Sequence, residues 1–378
     1  MGIYFHIPFC KKACHYCDFH FSTVLKNRDE MVESLIRELA YRANEWKGQS
    51  VKTIYFGGGT PSLLQEKHWN DLANAIHQYL HLSERVEFTV EVNPDDVSED
   101  ALSVWKSIGV NRLSVGVQSM DDEVLKWMNR AHSAEQAVSA IRLAQENGWN
   151  NINVDFIYGH RQYTSGNTHE DLKQLLTLQP QHVSAYALTV EQKTALDFQV
   201  KKKRYTPPAQ EAVVEDFFTV HDVLIQAGMD HYELSNYALS GKASQHNSRY
   251  WSGDPYLGIG PSAHSFDGIQ TRSWNLSNNQ SYIRHFLHKE MEGITTAEVL
   301  SNRDRANEYW MTGLRTAQGV HLQKFSSDFD QPITIRQWQA LRKWEATDHL
   351  HIGEHSITCT LKGWMVLDAI LVDLFFEE

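Results

Sequence analysis

The sequence predicts an α/β protein: a parallel sheet curled into a partial (β/α)6, TIM-like barrel, followed by a mainly helical, winged-helix-like C-terminal domain. Three observations predict it. Short apolar, β-branched runs alternate with helical patterns six times; residues of unusual chemistry fall at or just past the ends of those runs; and the pattern changes after about residue 235. Repeated βα units imply right-handed crossovers and a parallel sheet. Six units are too few for a closed eight-stranded barrel, which leaves an open partial barrel or a doubly wound sheet. Chemistry gathered along one rim of strand C-terminal ends favours the barrel.

Taken in order, strands are expected at 3–7 (IYFHI), 51–56 (VKTIYF), 86–92 (VEFTVEV), 110–117 (VNRLSVGV), 151–158 (NINVDFIY) and 182–188 (HVSAYAL). Helices are expected near 29–46, 65–81, 98–108, 121–129, 133–147 and 168–178. In the first of these, Met31, Leu35, Leu39 and Trp46 share one face with charges opposite. In the third, NPDDVSEDALSVWKSIG carries a helix-start signal and a stop at Gly109. The stretch 240–282 is rich in Gly, Ser, Asn, His and Trp and reads as long ordered loops. From about 283 the chain is mainly helical, ending in a strand-like SITCTLKG and a last helix. The expected division is 1–235, a loop-rich connection at 236–285, and 286–378. No internal repeat of the solenoid or propeller kind stands out.

With 378 residues, 42% hydrophobic and 22% charged, the chain has the make-up of an ordinary globular protein. A net charge of -12 argues against a nucleic-acid partner, since phosphate neutralisation needs clustered Lys and Arg. The one basic run, Lys201-Lys202-Lys203-Arg204, reads as a solvated loop, with contact to anionic lipid headgroups the sharper alternative. The apolar WMVLDAILVDLFF at 364–376 contains Asp368 and Asp373 and is too short to span a bilayer, so it reads as a buried helix. Met1 leads straight into GIYFHI without a secretory leader, which predicts a cytoplasmic protein.

Four cysteines do not make a disulfide framework, and three of them, Cys10, Cys14 and Cys17, stand together as C-x3-C-x2-C. Three thiolates on a tight loop suit three corners of a cubane iron–sulfur cluster, with one iron left open. The competing reading is a Cys3His zinc site completed by His20. Gly57-Gly58-Gly59-Thr60-Pro61 lets a ligand approach bare backbone, though no lysine follows as in a phosphate loop. Glu91, Gln118, Arg130 and Asp155 converge on the same rim and suit a zwitterionic, sugar-bearing ligand.

YFHIPFCKKACHYCDF and YFGGGTPS, continued in order by EVNP, RLSVGVQS, MNRAH, NVDFIYG and YWMTGLRTAQGV, closely resemble the radical S-adenosylmethionine (radical SAM) superfamily. The resemblance is to its HemN/HemW branch of coproporphyrinogen dehydrogenases and their relatives, and it covers nearly the whole chain. It implies a radical SAM core at 1–235 and a HemN-type C-terminal domain at 286–378. It implies a [4Fe-4S] cluster on Cys10, Cys14 and Cys17, with SAM chelating the fourth iron. By position in the family motifs, Tyr4, Tyr16, Gly58 and Glu91 contact that SAM. Residues matching Gly59, Thr60, Gln118, Arg130 and Asp155 meet a second SAM in the dehydrogenases, and Ala187 falls at a further cofactor position.

Two features choose within the branch. The dehydrogenases carry a cysteine two residues after the third, where this chain has Phe19. Residues 246–251 read HNSRYW, which matches the HNxxYW signature of HemW-type haem chaperones. The resemblance therefore implies a haem chaperone that binds haem and passes it to acceptors such as respiratory chain components, with any membrane contact peripheral to the inner membrane. His246 is the expected axial donor, Tyr250 and Trp251 the aromatic wall, and His264 a second axial candidate. The rival enzyme is an oxygen-independent coproporphyrinogen III dehydrogenase; a zinc-stabilised binding module is the rival from another class. One local departure stands out: the family's IYGLPxQT reads IYGHRQYT here, so His160 and Arg161 replace an apolar residue and a proline.

Overall fold

The computed structural model describes residues 1–160, 168–288, 293–329 and 332–376. Arg161 lies outside the described residues. All six expected strands form: β1 (Gly2–Ile7), β2 (Ser50–Gly58), β3 (His81–Val92), β4 (Arg112–Gln118), β5 (Ile152–Tyr158) and β6 (His182–Ala187). Each pairs in parallel with the next. The crossovers hold α1 (Arg28–Arg42), α2 (Glu66–Tyr79), α3 (Glu99–Ser107), α4 (Asp122–Trp127), α5 (Ala134–Glu146) and α6 (Thr168–Leu176).

Local chemistry sets these helix starts. Ser98 accepts from the Ala101 amide, Asp121 from those of Glu123 and Val124, and Ser133 forms a capping box with Gln136. Met31, Leu35 and Leu39 bury one face of α1, each side chain contributing on the order of 2 kcal/mol. Trp46 falls beyond α1 in a short 3-10 turn, Ala43–Trp46, and is half-buried. Strand alternation sorts the sheet's two faces. Phe5 stacks on Phe56 at 4.4 Å, and Phe56 meets Trp69 of α2, so these residues face the helices. Tyr4 and Tyr55, one residue away, face the barrel interior.

The sheet extends past the expected six strands. After α7 (Ala195–Lys201) and α8 (Gln210–Gln226), a hairpin of β7 (Asp230–Glu233) and β8 (Asn236–Ala238) pairs antiparallel to β6. The stretch 240–282, read from sequence as long loops, holds α9 (Gln245–Ser252), β9 (Tyr256–Ile259), β10 (His264–Phe266), β11 (Thr271–Asn275) and a helix at Asn279–Ile283. These strands are only three to five residues long, too short for alternation to register in sequence. β9 lies parallel along the free edge of β1, pairing Gly2 with Tyr256 through Phe5 with Ile259. With β12 (Thr295–Val299), the strand order is β12-β11-β10-β9-β1-β2-β3-β4-β5-β6-β8-β7, open at both edges among the described residues, hence a partial barrel.

Glu38 of α1 ties this added segment down. Its buried carboxyl accepts from Gly260 N at 2.8 Å, Asn275 Nδ2 at 2.7 Å and the Tyr282 hydroxyl. The C-terminal part packs helices Asn302–Gly313, Leu322–Asp328 and Ile335–Ala346 with a small sheet of β13 (Val320–His321), β14 (Leu350–Ile352) and β15 (Ser356–Cys359). Helices around a three-stranded sheet fit the winged-helix-like expectation. In the last helix, Leu367–Leu374, four leucine and isoleucine side chains are buried. No helix among the described residues is long and apolar enough to cross a membrane.

Candidate functional site

The cysteine loop follows β1 and is pinned from several sides. Cys10 N bonds Ser22 O at 3.0 Å, His15 N bonds Met128 O at 3.1 Å, and Asn129 Nδ2 donates to Ala13 O at 2.8 Å. Lys11 pairs with Asp95 at 2.7 Å and with Asp96, linking the loop to the end of β3. The three cysteines are free and half-buried. Thr60 Oγ1 lies 3.5 Å from Cys10 Sγ, and Arg130 Nη1 lies 3.4 Å from Cys14 Sγ. Burial pushes the Cys10 thiol up to about 11 and Cys17 up to about 12, so thiolates there need a cationic partner.

Glycine is required in the turn that closes β2. Gly58 has φ +104, and a Cβ there would sit 2.5 Å from the His6 ring. A Cβ on Gly59 would meet the carbonyl oxygens of Phe9 at 2.6 Å and Ile7 at 2.8 Å. Beneath the turn, Glu91 accepts from Tyr55 OH at 2.8 Å and Gly58 N at 3.2 Å. Burial first, then the nearby Asp155, raises the Glu91 carboxyl to about 7.

Arg130 donates through Nη2 to Asn93 Oδ1 and to Gly116 O, both at 2.7 Å, and its Nη1 lies 3.5 Å from Tyr16 OH. Its Nε is buried without a partner. Gln118 sits in the left-handed region at φ +70 where β4 ends. Asp155 accepts from Asn153 Nδ2 at 2.7 Å, and burial raises its carboxyl above the usual range.

A cavity of about 730 Å3 joins these groups. Cys10, Cys14, Cys17, Tyr16, Gly58, Gly59, Thr60, Glu91, Gln118, Arg130, Asp155 and Ala187 all line it. Tyr4 lies just behind, its hydroxyl 3.1 Å from His6 Nδ1. The opposite wall is apolar, built by Val213, Val214 and Phe217 of α8 with Leu234, Trp364 and Met365. Trp364 comes from the C-terminal domain, donates Nε1–H to Leu314 O at 2.9 Å and stands edge-on to His231. Sequence reasoning missed this wall and missed Arg112, which lines the cavity from the start of β4.

Comparison with known proteins agrees with this fold. Residues 4–176 match the model of the Radical SAM superfamily, and residues 300–366 that of the HemN C-terminal domain. The Bacillus subtilis protein named Heme chaperone HemW is 33% identical over 95% of this chain and 95% of its own. The chain belongs to the HemW family of radical SAM proteins. The Escherichia coli protein of the same name is 37% identical over 100% of this chain and 98% of its own. Among solved structures, coproporphyrinogen III oxidase (HemN) of Escherichia coli superposes with a TM-score of 0.85 at 21% identity, covering 99% of this chain and 89% of that one.

The residues of this HemW-family chain fit an iron–sulfur cluster better than one zinc ion. Zinc needs its sulfurs about 2.3 Å from a single point. A multi-iron cluster spreads its ligands over separate irons. His20, the fourth ligand in the zinc reading, instead directs Nε2 to Asn279 Oδ1 at 2.7 Å. Gly58 and Gly59 present backbone to the cavity, and the unpartnered Arg130 Nε leaves a donor for a ligand against the cysteines.

The HNSRYW segment lies elsewhere, behind the cavity floor. His246 and Tyr250, four apart on α9, share a face, with Nε2 2.9 Å from the Tyr250 hydroxyl. Nδ1 lies 2.9 Å from Thr53 Oγ1, and the ring stacks on Tyr55 at 5.0 Å. Burial first, then Arg249 and Arg112, lowers the imidazole to about 3, so it is neutral. Of this segment only Asn247 reaches the cavity wall; His246, Tyr250 and Trp251 do not. His264 is exposed on β10, stacked on Trp274. His160 turns inward and bonds Ile157 O at 2.9 Å.

Proposed function

We propose that this protein is a haem chaperone, binding haem and handing it to acceptors such as respiratory chain components. The observation that carries the reading is the cavity, where a polar rim bearing three cysteines faces an apolar wall from α8 and Trp364. Such a cavity suits a flat apolar macrocycle beside a polar cofactor. Relatives named Heme chaperone HemW, similar along nearly the whole chain, support it. Phe19, standing at the cavity where a dehydrogenase has a cysteine, favours a chaperone over coproporphyrinogen oxidation. Handover takes place in the cytoplasm or at the face of the inner membrane, with peripheral contact only.

In this reading Cys10, Cys14 and Cys17 hold a [4Fe-4S] cluster. When bound with SAM, that group supplies reductive cleavage chemistry. The chain's own part is positional. Gly58 and Gly59 bring backbone close, Glu91 takes a cationic ligand group, and Arg130 braces Cys14 and Tyr16. Tyr4, Thr60, Gln118, Asp155 and Ala187 complete the SAM contacts. His246, with Tyr250 and Trp251 beside it, lies behind the cavity floor, so its taking the haem iron requires the floor to open and one imidazole nitrogen to leave Thr53 or Tyr250.

Haem titration of the anaerobically reconstituted protein tests this. Wild type should give a Soret shift that His246→Ala weakens at least about tenfold, the scale of one lost directional contact. An unchanged band and affinity would move the ligand elsewhere, His264 first. Efficient vinyl-product formation from coproporphyrinogen, SAM and reductant would overturn the chaperone reading in favour of the dehydrogenase.

A further inference from the structure

Arg112 is 2% exposed, yet it lines the cavity from the first residue of β4. Its Nε is buried without a hydrogen-bond partner, and no carboxylate oxygen of the described residues lies within 4.0 Å of the guanidinium. Thr89, its partner across β3, is fully buried with Oγ1 likewise unpartnered. The Glu91 and Asp155 carboxylates are near enough to feel the charge of Arg112, but the surrounding titratable groups make their hydrogen bonds elsewhere. Glu91 is held by Tyr55 and Gly58, and Asp155 by Asn153 and Ser114. His182 is held by Asn153 and Tyr232, and His246 by Thr53 and Tyr250. A buried cation without a contact partner costs free energy that an apolar residue at the head of a strand would avoid. What the guanidinium lacks is a planar, two-oxygen acceptor, the geometry it pairs with best.

We propose that Arg112 anchors a carboxylate of the cavity's ligand, a haem propionate. The assignment rests on the haem reading but not on His246 as axial ligand. The shared chemistry, a carboxylate, has a second source in the methionyl end of SAM, and position separates the two. The cysteines follow the C-terminal end of β1, whereas Arg112 begins β4 in register with Tyr4, Tyr55 and Thr89, three residues back from where β1, β2 and β3 end. A SAM carboxylate chelating iron stays near the cysteines, where Arg130 already touches Cys14. Arg112 is left for a ligand reaching deeper.

The test compares haem with its dimethyl ester, in which both propionates are blocked, on the reconstituted full chain. Wild type should bind haem about 10- to 100-fold more tightly than the ester, the range for a charge-assisted pair. Arg112→Gln should bring the two within about twofold by weakening haem alone, and Arg112→Lys should restore part of the preference. Equal binding of haem and ester by wild type would overturn the proposal while leaving the haem reading intact. So would a preference retained by a folded Arg112→Gln, or loss of SAM affinity in that variant with the haem preference unchanged. Wild type binding neither compound would defeat the haem reading and the anchor together. Equal binding by wild type overturns the anchor even where the glutamine variant fails to fold, and where it does fail, Arg112→Lys carries the assignment through a reduced haem-over-ester ratio.

Discussion

Glu91 is the residue whose environment makes the sharpest demand. A carboxyl raised to about 7 by burial and Asp155 is mostly neutral at pH 6 and mostly charged at pH 8. As a group whose folded value lies above its unfolded one, it stabilises the empty fold fully below about 4.5 and progressively less as pH rises through about 7. A cationic ligand reverses the preference, because it pairs only with the carboxylate. SAM affinity, measured calorimetrically at pH 6, 7 and 8, should therefore rise with pH, and Glu91→Gln should flatten the dependence. A profile equally steep in the variant would remove Glu91 from the binding site. At this scale the cysteines were legible because their spacing is itself a chemical statement. Arg112 was not, because a basic residue at a strand start reads as a solvent-facing end. Parity held the clue: Arg112, Ser114, Gly116 and Gln118 share one face of β4, and all four line the cavity.

Among the elements, the β2 turn depends most on residue type. Gly58→Ala combines a left-handed backbone with a Cβ 2.5 Å from the His6 ring, and His6 is fixed by Tyr4 and by His20 O at 2.8 Å. The variant should lose about 1–3 kcal/mol in denaturant unfolding and bind SAM more weakly; unchanged unfolding would mean that the turn relaxes freely. The six barrel strands were readable because each is a run long enough to be apolar in a row. The stretch from α9 to β11 was not, since its short strands gain their identity from β1 and from Glu38, both far away in sequence. The HNSRYW helix sits between these cases: its residues were singled out, but their place behind the cavity floor depends on Thr53, Tyr55 and Glu87 of two other strands.

Across the whole molecule, the cavity is a joint product of the barrel and the C-terminal domain, since Trp364 and Met365 close a wall that the barrel leaves open. No local pattern announces such a wall, because its residues are ordinary core types until the two parts meet. The pairing of β9 with β1 carries a consequence for how the chain comes off the ribosome. β1, which leads into the cysteine loop, is synthesised long before its second neighbour, which emerges only after residue 256. At about 5–20 residues per second, that strand remains a bare sheet edge for tens of seconds. A chain truncated at residue 240 keeps every cluster and SAM residue named above but leaves that edge unpaired for good. It should aggregate on size-exclusion chromatography where the full chain does not, as exposed edges invite. A monodisperse fragment would show that β1 is protected by other means.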